Sequence, residues 1–245
     1  MSQTVSLDAW PGRERREPSR RSPDYLVLAP LAAQLSAEIR RLCAGRTELA
    51  ILDVGCGEKP YYPLIAEHAA SYRGFDVEPG PVVDDVGVAE QLPYDDASFD
   101  IVVSTQVLEH ADDPAAVVSE IHRVLKPGGA ALVSTHGAFV FHPTPPPERD
   151  FWRWTHAGLS RLFRASGAWG DLRVQANGEY VSCVFYLVCR LIGWPLGSAP
   201  RQVRELVYTA LNRTAEAIER RLPQDLRVPS PGSLTANYLV TATKA

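Results

Sequence analysis

Two carboxylates and a pair of glycines carry the chemistry of this chain: Asp53, Gly55, Gly57 and Asp76. Leu49 to Val54 is a short apolar run closed by Gly55-Cys56-Gly57, the pattern of a buried parallel strand entering a ligand-binding turn. Glycine lets such a turn bend sharply and brings backbone amides close to a bound molecule with no Cβ between them. Asp53 stands at the carboxyl end of the strand, where open α/β sheets bind their ligands. About 20 residues on, the apolar run Tyr72 to Phe75 ends in Asp76, where a carboxylate can accept both hydroxyls of a ribose. The two signals together describe a nucleoside site.

What the turn lacks narrows the nucleoside. A dinucleotide fingerprint needs a third glycine where Pro60 stands, and no phosphate-cradling loop ending in Gly-Lys-Ser/Thr occurs. A glycine turn preceded by an acid suits a cationic ligand without phosphate, and S-adenosylmethionine, with its ammonium, sulfonium and adenosine, fits. Five stretches then follow in order: Asp53-Val54-Gly55-Cys56-Gly57, Gly74-Phe75-Asp76, Leu92-Pro93-Tyr94 with Ser98-Phe99-Asp100, Val107-Leu108-Glu109-His110 and Leu125-Lys126-Pro127-Gly128-Gly129. From roughly Leu49 to Gly167 the chain resembles the class I S-adenosylmethionine-dependent methyltransferases. The resemblance implies a Rossmann-like, doubly wound sheet of seven strands, mostly parallel with a terminal antiparallel hairpin and helices on both faces. It implies S-adenosylmethionine as cofactor, on Asp53, Gly55, Cys56, Gly57, Asp76, Val77, Ala89, Thr105 and Gln106. Where the family often sets an Asp before a small residue near the adenine, this chain has Val88-Ala89, which leaves backbone contact near Ala89.

Methyl transfer is an in-line displacement, so the protein's main task is to hold an acceptor atom about 3 to 3.5 Å from the methyl group. A hydroxyl acceptor must also lose its proton, and histidine is a suitable base at neutral pH. His110, at the end of the fourth strand motif, is the first candidate, with His142 and Asp150 next. The latter two lie in an irregular stretch, His136 to Trp154, whose prolines stiffen it and whose aromatic rings offer flat apolar walls. Its run Asp150-Phe151-Trp152-Arg153-Trp154-Thr155 looks like that of bacterial methyltransferases associated with surface-polysaccharide biosynthesis. That likeness implies a small-molecule or glycosidic acceptor, a sugar hydroxyl first. A quinone or polyketide-like aromatic is the alternative, and a non-catalytic cofactor-binding module the other class. A net charge of −4 and the absence of an Asn/Asp-Pro-Pro-Tyr/Phe box or a Pro-Cys nucleophile argue against nucleic acid.

The elements that must position these residues follow from pattern. A helix over Pro30 to Leu42 precedes the first strand, and strands are expected at Asp84 to Val86, Asp100 to Ser104 and Ala130 to Ser134. Asp112 or Asp113 caps a helix with Pro114 in its first turn, ended by Lys126 and Gly128; Thr155 caps another, stopped by Gly167. Strands at Leu172 to Ala176 and Tyr238 to Thr243 form the hairpin. Residues 24–245 read as one domain with a helical insertion at 177–231, and 1–23 as a disordered polar tail in which Trp10 alone could dock. The apolar run Val181 to Leu191 is too short to span a bilayer. It suits a helix over the substrate pocket, a homodimer seam, or peripheral membrane contact through 181–196. The four cysteines lack metal spacing, so no metal is assigned, and no apolar segment follows the tail arginines, so a cytoplasmic location is expected.

Overall fold

The computed structural model describes residues 7–141, 149–178, 180–223 and 234–245. Its centre is a seven-stranded sheet of β1 (Leu49–Val54), β2 (Ala69–Asp76), β3 (Asp85–Val86), β4 (Phe99–Thr105), β5 (Leu125–His136), β6 (Trp169–Asn177) and β7 (Asn237–Lys244). The spatial order is β3-β2-β1-β4-β5-β7-β6. Pairings are parallel from β3 to β5, and β7 runs antiparallel between β5 and β6. The expected Rossmann-like sheet with its terminal antiparallel pair is therefore present.

Apolar side chains alternate between two faces of the central strands, and each face has its own helical cover. On one side α2 (Tyr25–Cys43) lays Leu31, Leu35, Ile39 and Leu42 against Ile51, Ile101, Val103 and Leu132. On the other, α3 (Pro114–Val124) and α4 (His156–Ser166) bring Val117, Val118, Ile121, Leu159 and Phe163 against Leu52, Val54, Val102 and Val133. The caps are as expected from residue type. Asp113 accepts the amides of Ala115 and Ala116, and Thr155 accepts that of Gly158.

Three expectations change. The helix α3 stops at Val124, because Leu125 already pairs with Phe99; Gly128, at φ +73°, sits within β5 beside a register irregularity. After the glycine turn, where Pro60 and Pro63 allow a helix to start around Tyr61 to Leu64, only two 3-10 turns form, Tyr62–Leu64 and Ala66–His68. The tail expected to be disordered is docked from Leu7 onward. The Trp10 indole donates to the Lys59 carbonyl at 2.9 Å, Arg16 donates to the Pro60 carbonyl, and α1 (Arg13–Arg16) follows. Gly12 is needed there: at φ +71° it lies so close to Pro60 that a Cβ would stand 2.5 Å from the proline Cβ.

The insertion forms α5 (Tyr180–Gly193) and α6 (Arg201–Glu219). Cys183 and Tyr186 of α5 and Ala215 of α6 share a small core with Leu26 and Val27 of α2. All four cysteines are buried thiols.

Candidate functional site

Because β1, β2 and β4 run parallel, their carboxyl ends deliver Gly55, Asp76 and Thr105 to one edge, where a cleft of about 370 Å³ opens. Gly55 takes φ +69° and a Cβ there would lie 2.2 Å from the Val107 side chain, so glycine is required by contact as well as by backbone. Its amide and that of Cys56 both donate to the Phe75 carbonyl, which ties the turn to β2. One turn further, the Gly57 amide donates to Asp76 Oδ2 at 2.8 Å, while Glu78 donates its amide to Oδ1 at 3.2 Å. Each carboxylate oxygen has two lone pairs, so Asp76 keeps acceptor capacity beyond these two amides.

Of the residues expected to contact a cofactor, Gly55, Gly57, Asp76, Val77, Ala89, Thr105 and Gln106 line the cleft. Val77 and Val88 stand 47% and 46% exposed in its wall, apolar surface of the kind a flat base covers. Gln106 holds the left-handed φ of +60°, stabilised by its amide on the Ser134 carbonyl and its side chain on the Ser134 hydroxyl. These groups fit a phosphate-free nucleoside: a carboxylate with spare lone pairs, a bare glycine turn and an apolar wall.

Two expected contacts lie elsewhere. Asp53 is 2% exposed and accepts the Tyr72 hydroxyl at 2.7 Å beneath the cleft; burial pushes its carboxyl up to about 7. Cys56 is likewise buried, packed where a Cβ on Gly74 would fall 2.7 Å from its sulfur, and burial pushes its thiol up to about 12. Both set the shape of the turn without lining the cleft.

His110 lines the cleft, and its Nδ1 meets the Arg149 carbonyl. A carbonyl only accepts, so Nδ1 carries a proton in this contact. Asp150 does not line this cleft. Its side chain is wholly buried, and both oxygens engage the Arg153 guanidinium, at 2.6 and 2.7 Å. Arg153 in turn donates to the Phe139 and Val140 carbonyls, so the pair fixes the aromatic stretch. His142 lies outside the described residues.

Several contributors were not among the expected site residues. Arg15 brings a guanidinium to the cleft from α1. Lys59, just before Pro60, is buried and donates to Asp84 at 2.6 Å, while Asp84 also accepts the Gly74 amide. Glu109 is fully buried beside His110. It accepts the Thr135 hydroxyl at 2.8 Å, lies 3.3 Å from His136 Nε2, and its carbonyl accepts the Phe151 and Trp152 amides. Burial pushes its carboxyl up to about 7. The Trp152 indole donates to the Ala111 carbonyl, so the aromatic segment closes directly onto the His110 turn.

Residues 52–133 match the family described as methyltransferase domain. A Mycolicibacterium smegmatis protein described as a probable S-adenosylmethionine-dependent methyltransferase is 42% identical over 111 residues, 41% of this chain and 42% of that protein. A ubiquinone biosynthesis O-methyltransferase of Pseudomonas paraeruginosa is 36% identical over 110 residues, 38% of this chain and 45% of that protein. The chain thus spans less than half the length of either relative. Among solved structures, the cyclase SpnF superposes with a TM-score of 0.55 at 20% identity, over 93% of this chain and 85% of that one, a likeness of fold.

Proposed function

We propose that this chain, which carries a class I S-adenosylmethionine-dependent methyltransferase domain, transfers a methyl group to a hydroxyl of a small-molecule or glycosidic acceptor, a sugar hydroxyl first. Bound S-adenosylmethionine supplies an electrophilic methyl group on a cationic sulfur that is itself a good leaving group. Asp76 is the group to clasp the ribose hydroxyls, using the lone pairs left by the Gly57 and Glu78 amides. Val77, Val88 and Ala89 form the apolar wall for the base, and Arg15 offers a guanidinium for the carboxylate of the amino-acid portion.

Support for a hydroxyl acceptor comes from His110, an imidazole that lines the cleft with its Nδ1 on the Arg149 carbonyl, since histidine is a suitable base for an attacking hydroxyl at neutral pH. Its backbone amide is held on the Val107 carbonyl, and Nδ1 on Arg149, so the ring's orientation is set before an acceptor arrives.

A second acceptor class is favoured by a specific feature. Phe151 and Trp152 remain 48% and 39% exposed although the segment is pinned, which leaves apolar surface suited to a quinone or phenolic ring. The Pseudomonas paraeruginosa relative is a ubiquinone biosynthesis O-methyltransferase by description. Methyl-labelled cofactor presented with nucleotide sugars, oligosaccharides and phenolic quinone precursors separates the readings. Label in a sugar methyl ether is the expected result. Label in a phenol moves the acceptor to the second class, and cofactor binding with no labelled product from any panel member makes the chain a non-catalytic module.

A further inference from the structure

The insertion helix α5 is apolar on both sides. Ser182, Cys183, Tyr186 and Cys189 face inward and are buried, while Tyr180, Val184, Leu187, Val188 and Leu191 recur at helical spacing on the outside and are exposed. Leu191 is 76% exposed, and Trp194, just past the end of the helix, 91%. A continuous apolar stripe of this kind needs a cover. At fourteen residues the helix cannot cross a bilayer, and no helix among the described residues is long and apolar enough to do so.

We propose that this outer face of α5, with Trp194 at its tip, rests on the surface of an anionic lipid bilayer. The charge pattern selects that occupant. From Tyr180 to Pro200 the only residue charged at neutral pH is Arg190, and α6 opens just beyond with Arg201 and Arg204. Glu179 precedes the segment, and the other carboxylates near it are engaged: Asp24 lies 3.3 Å from Arg190, Glu205 pairs with Arg201 at 2.6 Å and with Arg21 at 3.7 Å, and the buried Glu219 accepts the Ser182 amide at 2.6 Å. An interfacial helix has this composition: apolar below, arginine at the edge, a tryptophan at headgroup level. The helix is firmly seated behind, since Tyr186 stacks on Phe139 at 5.2 Å and Phe139 on His136 at 3.9 Å, so the face is presented by a fixed element.

Flotation of the full chain with vesicles tests this without reference to activity. With vesicles of phosphatidylcholine and phosphatidylglycerol the protein should float, and it should do so far less with phosphatidylcholine alone. Leu191→Asp and Trp194→Ser, both at exposed positions whose melting should match the parent, should each lower binding about tenfold or more. Absence of flotation on both compositions, equal flotation on the two, or unchanged binding by Trp194→Ser would overturn the proposal. So would a dimer in sedimentation velocity that Leu191→Asp dissolves, which would assign the face to a second copy.

Discussion

At the scale of single residues, the cleft separates groups that touch its interior from groups that hold it in shape. His110 belongs to the first kind. His110→Ala should lower kcat about 10²- to 10⁴-fold, the usual reach of a general base, while cofactor affinity changes much less; steady-state kinetics beside calorimetry would show normal turnover if the ring only shapes the wall. Glu109 belongs to the second kind, and its burial has a pH consequence. Its carboxyl is pushed up to about 7 in the folded chain, so the native state binds this proton more tightly than the unfolded one, where the value is about 4.3. Stability from this group is complete below the unfolded value and is lost as pH rises through the folded one. Glu109→Gln, always neutral, escapes that loss. The melting temperature of the variant should therefore gain on the parent by a few degrees between about pH 5 and about pH 8, and a gap that stays constant would mean Glu109 is ionised throughout. Much of this scale was legible in sequence. Gly55, Gly57 and Asp76 could be placed because strand ends and glycine turns fix where they stand. A linear motif names positions, however, and says nothing of the direction in which a side chain leaves the backbone. Asp53 and Cys56 turned inward, and Asp150 found Arg153 three residues on.

At the scale of elements, the N-terminal segment behaves as a strap across the glycine turn. Its Pro-, Arg- and Glu-rich composition is that of a solvated tail, and nothing local in it announces a docking site. The contacts that hold it reach Lys59 and Pro60, more than forty residues away, through one indole, one guanidinium and the close approach of Gly12. Long-range contacts to backbone carbonyls leave no periodic trace, which is why sequence could single out Trp10 and still misjudge the segment. Trp10→Ala removes the bond to Lys59 and the ring contact with Tyr62 at 4.6 Å, together worth about 1 to 3 kcal/mol to the strap. Since Arg15 enters the cleft on the same segment, titration calorimetry should find cofactor affinity reduced about three- to tenfold. Full affinity would leave the strap outside the site. The helices and strands of the core, by contrast, were readable, because burial on two faces imposes apolar runs on β1 and β4 and a helical period on α2 and α3.

At the scale of the whole molecule, the insertion between β6 and β7 is built into the fold. Tyr25 at the start of α2 donates to Glu216 of α6 at 2.7 Å, and the fully buried Asn212 amide donates to the Arg20 and Ser22 carbonyls at 2.8 and 2.9 Å. The chain's beginning and its late helices thus close on each other, beside the sheet that holds the cleft. Asn212→Ala should cost about 1 to 3 kcal/mol, and thermal melting should fall about 2 to 4 °C for each of them; an unchanged melting point would mean that water replaces the amide at no cost. Sequence reading found a helical insertion and could not find what its helices join, because a lone asparagine inside an amphipathic helix looks like any other polar position. The centre on which everything else depends remains the corner where Gly57 and Asp76 meet. Titrating S-adenosylmethionine into the parent chain and Asp76→Ala tests it most directly. The parent should bind at a single site, and the variant, losing hydrogen bonds to a charged acceptor worth about 1.5 to 3 kcal/mol, should bind about ten- to a hundredfold more weakly. Equal affinity in the two proteins would contradict the placement of the ribose, and with it the cofactor site itself.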